Sequence, residues 1–388
     1  MSSNARIQNG DRTDLQACAA EDGSTGLAAA GAVLTIDLGA IRANYRLLCE
    51  RLGGGRCAAV VKADAYGLGA EKVAPALARE GCDTFFVAHL GEGIALRKIL
   101  GALPEIFVLN GLPPGSEEFC AAAGLVPVLN SEAQLAAWRE HASRAGKTLP
   151  AAVQVDSGMA RLGMPPEEVD RVAADPHAFD GIELKLVMSH FARADEPHEA
   201  SNAEQRSAFE ALAQKLPPAP RALDNSPGIF LDAGRHFDLA RPGCALYGIN
   251  PQPGGRNPMR PVVKLEAKVI QTREVPAGTG IGYGHAAKAL EPMRLATISL
   301  GYADGWHRRA TSFAFFAGKR LPFVGRVSMD SIILDISALP PGSLAPGTLV
   351  ELIGPHQSVD EVATQAGTIG YEVLTGFGHR FHRVYLDK

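Results

Sequence analysis

Between residues 58 and 241 the chain repeats one pattern, and this repetition narrows the available folds more than any other feature. Short apolar segments at 58–62, 84–88, 105–110, 125–129, 151–156, 183–190, 221–225 and 238–241 alternate with stretches of helical period. The latter include 70–80, 90–100, 131–145, 167–174 and 203–215. Apolar runs of this length need burial on both faces, which a parallel sheet covered by helices supplies. Eight strand–helix units point to an α/β fold, the (β/α)8 barrel. An open doubly wound sheet is the alternative, but no Gly-x-Gly-x-x-Gly turn opens its first unit.

Either side of this region the pattern changes. Residues 1–31 are small and polar and read as a flexible tail, followed by a strand at 33–36 and by Asp37 capping a helix over 38–52. Residues 250–258 are rich in Pro and Gly and read as a linker. Beyond it lie alternating strands at 262–275, 293–300, 320–329, 332–336 and 348–353, a helix at 359–366 and an extended close over 373–385. The expected organisation is therefore a tail, a barrel over 32–258 and a smaller, mostly β domain over 259–388. A length of 388 residues suits two domains.

A net charge of −4 offers no basic surface for nucleic acid. No apolar run reaches the roughly eighteen residues of a membrane span, and the first thirty residues lack a secretory leader pattern. The expectation is a cytoplasmic protein. The six cysteines form no CxxC pair, so neither a metal site nor a disulfide framework is expected.

Barrels place their chemistry at the carboxyl ends of their strands. The first strand ends in Lys62, followed by Ala63-Asp64-Ala65-Tyr66-Gly67. An amine there snorkels out, pairs, or loses its proton, and in the last state it can form a Schiff base with an aldehyde. The loops after strands seven and eight, where barrels hold phosphate, read Asp224-Asn225-Ser226-Pro227-Gly228 and Arg241-Pro242-Gly243-Cys244. Each alone reads equally as an ordinary turn. Together with Lys62 they point to a phosphorylated aldehyde.

Several segments resemble the pyridoxal-phosphate-dependent alanine racemases. They include Lys62-Ala63-Asp64-Ala65-Tyr66-Gly67, 155–163 with Arg161, Ser189-His190-Phe191-Ala192, Asn225-Ser226 and 240–248. In the second domain Gly282-Tyr283-Gly284, 301–305, 324–330 and Gly370-Tyr371-Glu372 fit as well. The resemblance implies that Lys62 carries pyridoxal 5'-phosphate, with Tyr66, Asn225, Ser226, Gly243, Cys244 and Tyr371 around its phosphate. Arg241 would face the ring nitrogen with His190 hydrogen-bonded behind it. Arg161 and the Met329 N–H would hold the substrate carboxylate. Tyr302 and Tyr371 would line a narrow way in, to which Arg308 would also belong, and Tyr302 and Asp330 would join the substrate-binding residues, Asp330 acting in trans with Met329.

Racemisation takes a proton from one face of Cα and returns one to the other, so two bases must flank it. The resemblance assigns Lys62 to the D-alanine face and Tyr283, from a second copy, to the L-alanine face. A homodimer with shared sites follows. D-alanine for peptidoglycan and alanine catabolism are both open as roles. The family usually has a carboxylated lysine where this chain has Gln154, whose amide oxygen can accept from Arg161 but carries no charge. No response to bicarbonate is expected, and a chloride or a nearby carboxylate would supply the missing anion. A racemase of broader substrate range, a fold-related decarboxylase and a cofactor carrier are the rival readings.

Overall fold

The computed structural model describes residues 23–231, 236–310 and 312–387. The expected tail is thus described only from Gly23. There it is not all irregular: Gly23–Ala29 is helical, and Lys268 Nζ donates to the carbonyls of Leu27 and Ala28 at 2.7 Å each. Residues 1–22 lie outside the described residues.

Eight parallel strands form the barrel. Ala59–Val60, Thr84–Val87, Glu105–Val108, Val126–Leu129, Leu149–Gln154, Ile182–Met188 and Arg221–Ala222 lie side by side in chain order. The eighth, Leu239–Ala240, pairs with Arg56–Cys57, the opening half of the first strand. Ala58 N donates to Ala240 O (2.9 Å) and Arg241 N to Asp224 O (2.8 Å), which closes the ring on both sides. Alternate residues point inward, as strand geometry requires. Ala58, Val60, Phe86, Phe107, Val128, Ala152 and Met188 belong to the cluster that fills the barrel, and the Phe86 and Phe107 rings stack with centroids 4.7 Å apart.

Asp37 caps the helix Leu38–Leu52 as expected, its carboxylate accepting Ala40 N at 2.8 Å. The strand before it does not join the barrel. Ala32–Asp37 pairs antiparallel with Val263–Val275 and parallel with His382–Leu386, inside the sheet of the second domain. Its six residues alternate towards an antiparallel partner, a signal that position in the chain obscures.

The second domain is mostly β. Its main sheet runs Lys319–Pro322, Phe313–Phe316, Leu349–Ile353, Val263–Val275, Ala32–Asp37, His382–Leu386, with Met293–Ile298 and Ile332–Asp335 continuing from the long strand. The strand expected over 320–329 is corrected to Lys319–Pro322, after which Phe323 keeps only an isolated bridge to Leu334. The extended close expected over 373–385 is also corrected: Gly370–Thr375 is a helix, and only His382–Leu386 is strand. The helix Val359–Ala366 forms where expected, with Ser358 accepting Glu361 N.

Candidate active site

The segment after the first strand does not turn as a right-handed helix. Ala63, Asp64, Ala65 and Tyr66 have φ of 51–57° and ψ of 38–52°, four consecutive non-glycine residues in the left-handed region. Each costs roughly 1–2 kcal/mol there, or about 4–8 kcal/mol together, so the surroundings must impose the turn. They do so from three sides. Asp64 Oδ1 accepts Ala70 N at 2.7 Å, Arg383 Nη1 donates to Gly67 O at 2.6 Å, and Tyr385 donates to Leu68 O at 3.0 Å. Glu92 accepts Ala63 N at 2.7 Å. Gly67 and Gly69 have φ of 80° and 93°, and a Cβ on either would meet Leu374 O at 2.6 Å or the Tyr385 hydroxyl at 2.3 Å. Hence both glycines of the motif.

The turn delivers Lys62 to the mouth of the barrel, half-buried. Burial, with the Arg161 guanidinium close by, lowers its pKa below the usual lysine value, while Glu92 opposes that fall. His190 is pushed down to about 3 by desolvation and then by Arg241, Arg161 and Lys62, so it stands neutral among three cations. Arg241 is fully enclosed, and burial lowers it to about 10, with Asp224 resisting. It remains a cation at neutral pH. Its Nη2 donates to the carbonyls of Ser189 and Leu223. The expected bond to His190 does not appear among the described contacts, so backbone, not imidazole, fixes this guanidinium. Its Nη1 is buried with no partner, and an unpaired buried donor calls for an acceptor.

Beside it lies a cradle. Ser226 Oγ accepts Gly243 N (2.9 Å) and Ala245 N (3.2 Å), joining the loops after strands seven and eight. Cys244 makes side-chain contacts with both Ser226 and Tyr371, and burial raises its thiol to about 11. Tyr66 packs on Tyr247 with ring centroids 4.7 Å apart and on Tyr371 at 6.5 Å. A Cβ at Gly243 would come within 2.2 Å of the Tyr66 hydroxyl. Burial pushes the phenols of Tyr66 and Tyr371 well above their ordinary value, so both are proton donors. Asn225 spends its side-chain oxygen on Gly228 N at 3.0 Å, at the start of the short 3-10 turn Gly228–Phe230.

Two expected groups arrange differently. Gln154 is buried, and its Nε2 donates to Leu162 O at 3.0 Å, making no described hydrogen bond to Arg161. Asp156, a carboxylate of the segment that carries Arg161, is spent on the N–H groups of Gly158, Met159 and Ala160.

Tyr283, Tyr302, Met329 and Asp330 stand on the second domain. Tyr283 is 69 % exposed, in a hollow lined by Gly282, Gly284, His285 and Ser328. Met329 O accepts Ala303 N at 3.0 Å, which ties the 301–305 turn to the 328–330 loop. Arg380 bridges Asp304 and Asp330 at 2.7 Å each. Arg308 is exposed on the same domain. Within one chain, then, the barrel groups converge and Tyr283 faces solvent. Sequence reasoning missed Glu92 and Arg380. Glu92 had a signal, since it stands three residues after His89, the spacing of a helix N-terminal box.

The fold is that of a barrel enzyme, with a half-buried lysine at the mouth and the loops after strands seven and eight joined through Ser226. Residues 36–251 match the alanine racemase N-terminal domain and 262–385 its C-terminal domain. A catabolic alanine racemase of Mesorhizobium japonicum is 66 % identical over 359 residues, covering 92 % of this chain and 94 % of that protein. One of Agrobacterium fabrum is 54 % identical over 356 residues, covering 91 % and 92 %. The crystal structure of a Bartonella henselae alanine racemase with covalently bound pyridoxal phosphate superposes with a TM-score of 0.89 at 43 % identity, covering 92 % of this chain and all of that one. The chain belongs to the alanine racemase family.

Proposed function

We propose that the protein interconverts L- and D-alanine, with pyridoxal 5'-phosphate carried on Lys62. The observation that carries this is the cradle itself. An orphaned, buried Arg241 Nη1 lies in the same barrel mouth as two phenol donors and the Ser226 hydroxyl that joins the two loops, with a lysine of lowered proton affinity at its rim. These residues fit the cofactor. Lys62 would bind its aldehyde carbon, Tyr66, Tyr371, Ser226, Gly243 and Cys244 its phosphate, and Arg241 its ring nitrogen. When bound, the cofactor supplies an electron sink that acidifies the hydrogen on the substrate's Cα.

The chain's own groups then handle the proton. Lys62 is half-buried and disposed to release its proton, so its amine serves as the base on the D-alanine face. Arg241 would offer the bound ring a hydrogen bond without yielding its proton, and so would leave the cofactor a weaker electron sink. Arg161 receives the substrate carboxylate. The second base, Tyr283, comes from the partner in a two-fold homodimer, where its exposed domain face covers the neighbouring barrel mouth and sets the Met329 N–H, Tyr302 and Asp330 beside the substrate. The names of the Mesorhizobium and Agrobacterium relatives favour the catabolic role over the supply of cell-wall D-alanine.

The test follows optical rotation from each pure enantiomer. Both time courses must converge on an equal mixture, because enantiomers have equal free energy in an achiral solvent. Release of CO2, or no change in rotation, would overturn the proposal. Lys62→Ala must abolish both the visible cofactor band and the racemisation.

A further inference from the structure

The turn that carries Lys62 is held by a residue to which the mechanism above gives no part. Glu92 is the third residue of the helix Leu90–Leu100, which follows the second barrel strand. One carboxylate oxygen accepts Ala63 N at 2.7 Å. The other accepts Ala88 N at 2.7 Å and His89 N at 3.0 Å. A single carboxylate thus ties the end of the first strand to the end of the second. The residue it grips, Ala63, is the first of the four left-handed residues and adjoins Lys62 directly.

We propose that Glu92 is a positioning residue for Lys62: by clamping the Ala63 N–H to the Ala88 and His89 amides, it holds the left-handed turn that presents the amine. This rests on the reading of Lys62 as the cofactor-bearing base. The chemistry explains why a carboxylate stands here. Three backbone donors converge on two oxygens, and only an acceptor without hydrogens satisfies donors on both sides. Its charge also shortens and strengthens each bond. Without the clamp, Ala63 and its three successors would relax towards right-handed or extended backbone, and the amine would swing away from the Arg241 pocket. Asp64, Arg383 and Tyr385 grip the later part of the turn, while at the Lys62 end Glu92 shares the hold with the Ala65 N–H, which donates to Val61 O at 2.9 Å.

Glu92→Gln tests this. The amide keeps one oxygen, but its NH2 must face a donor, so one side of the clamp breaks. Apoprotein mixed with pyridoxal 5'-phosphate should form the visible lysine-bound band about tenfold more slowly, in keeping with the loss of a charge-assisted bond. In the holoenzyme kcat should fall by a similar factor, most in the D-to-L direction, while the KM for alanine stays within about twofold because Arg161 is untouched. Adding Ala63→Gly to Glu92→Gln should restore much of the band-formation rate, since glycine accepts a left-handed conformation without strain. A merely structural role would give lower stability with no such rescue and no split between kcat and KM. Should Glu92→Gln not fold, Glu92→Asp reads the same rate with a carboxylate too short to span both sides. Unchanged band formation and kcat in a folded Glu92 variant, or no recovery in the double variant, would overturn the proposal. Lys62→Ala separates this from the parent reading. If that variant still racemises, the assignment of Lys62 fails first; if it is inactive while Glu92→Gln matches wild type, only the clamp fails.

Discussion

Gly243→Ala isolates the phosphate cradle from every other part of the site. The backbone at Gly243 has φ of −123° and ψ of −82°, outside the regions alanine favours, so backbone strain adds to the effect of the methyl group. That methyl would meet the Tyr66 hydroxyl at 2.2 Å and its Cζ at 3.0 Å, well inside contact distance. Tyr66 cannot simply step back, because Tyr247 lies behind it at 4.7 Å and Tyr371 beside it at 6.5 Å. Overpacking of this kind costs about 1–3 kcal/mol. A loss of about 2 kcal/mol at the phosphate corresponds to roughly thirtyfold weaker cofactor binding. Titrating apoprotein with pyridoxal 5'-phosphate and following the visible band measures it. The substrate groups Arg161 and Met329 lie elsewhere, so saturating cofactor should restore most of the racemase activity. Wild-type affinity for the cofactor in a folded Gly243→Ala protein would refute the placement of Tyr66 and Gly243 around the phosphate.

The remaining expectations are more compact. Because burial and Arg161 lower the Lys62 pKa, the D-to-L rate should rise with pH through a value below the ordinary 10.5 of lysine. Removing the opposing carboxylate in Glu92→Gln should move that limb to lower pH, and a pH–rate series in both directions reads it. Gln154 cannot be carboxylated, so CO2-depleted enzyme should gain no activity from bicarbonate, and a clear gain would contradict this. Phe86→Ala removes a ring that is fully buried, stacks on Phe107 and has the Arg241 guanidinium 5.9 Å from its centroid. Urea unfolding should show a loss of about 3–5 kcal/mol, with weakened cofactor binding alongside.

The barrel was legible because buried parallel strands leave a mark that survives without context: eight apolar runs at regular intervals, each ending where chemistry belongs. That register, together with the family resemblance, singles out Lys62, Ser226 and Arg241. The turn at 63–66 was not legible, since nothing in Ala-Asp-Ala-Tyr favours left-handed backbone. Its conformation is imposed by Glu92, Arg383 and Tyr385, the last two more than three hundred residues away in the chain. The strand Ala32–Asp37 was misplaced for a related reason, because its partners at Val263–Val275 and His382–Leu386 come from the other end of the sequence. At 373–385 the expected extended close gives way at its start to the helix Gly370–Thr375, whose Val373 and Leu374 are buried in the core. Gln154 shows the reverse case: its identity alone ruled out a carbamate, and only the structure showed its amide turned to Leu162 O.

The reading depends on Lys62 and Tyr283 acting from different chains on one substrate, and subunit mixing examines that dependence directly. Lys62→Ala and Tyr283→Phe homodimers, each inactive alone, are unfolded together, refolded in equal amounts with cofactor, and assayed. If the bases belong to different chains, half of the dimers are mixed and each mixed dimer has one intact site, so activity returns to roughly a quarter of wild type. If both bases come from the same chain, no mixed dimer contains an intact site. The mixture then stays as inactive as its parents, and the account fails.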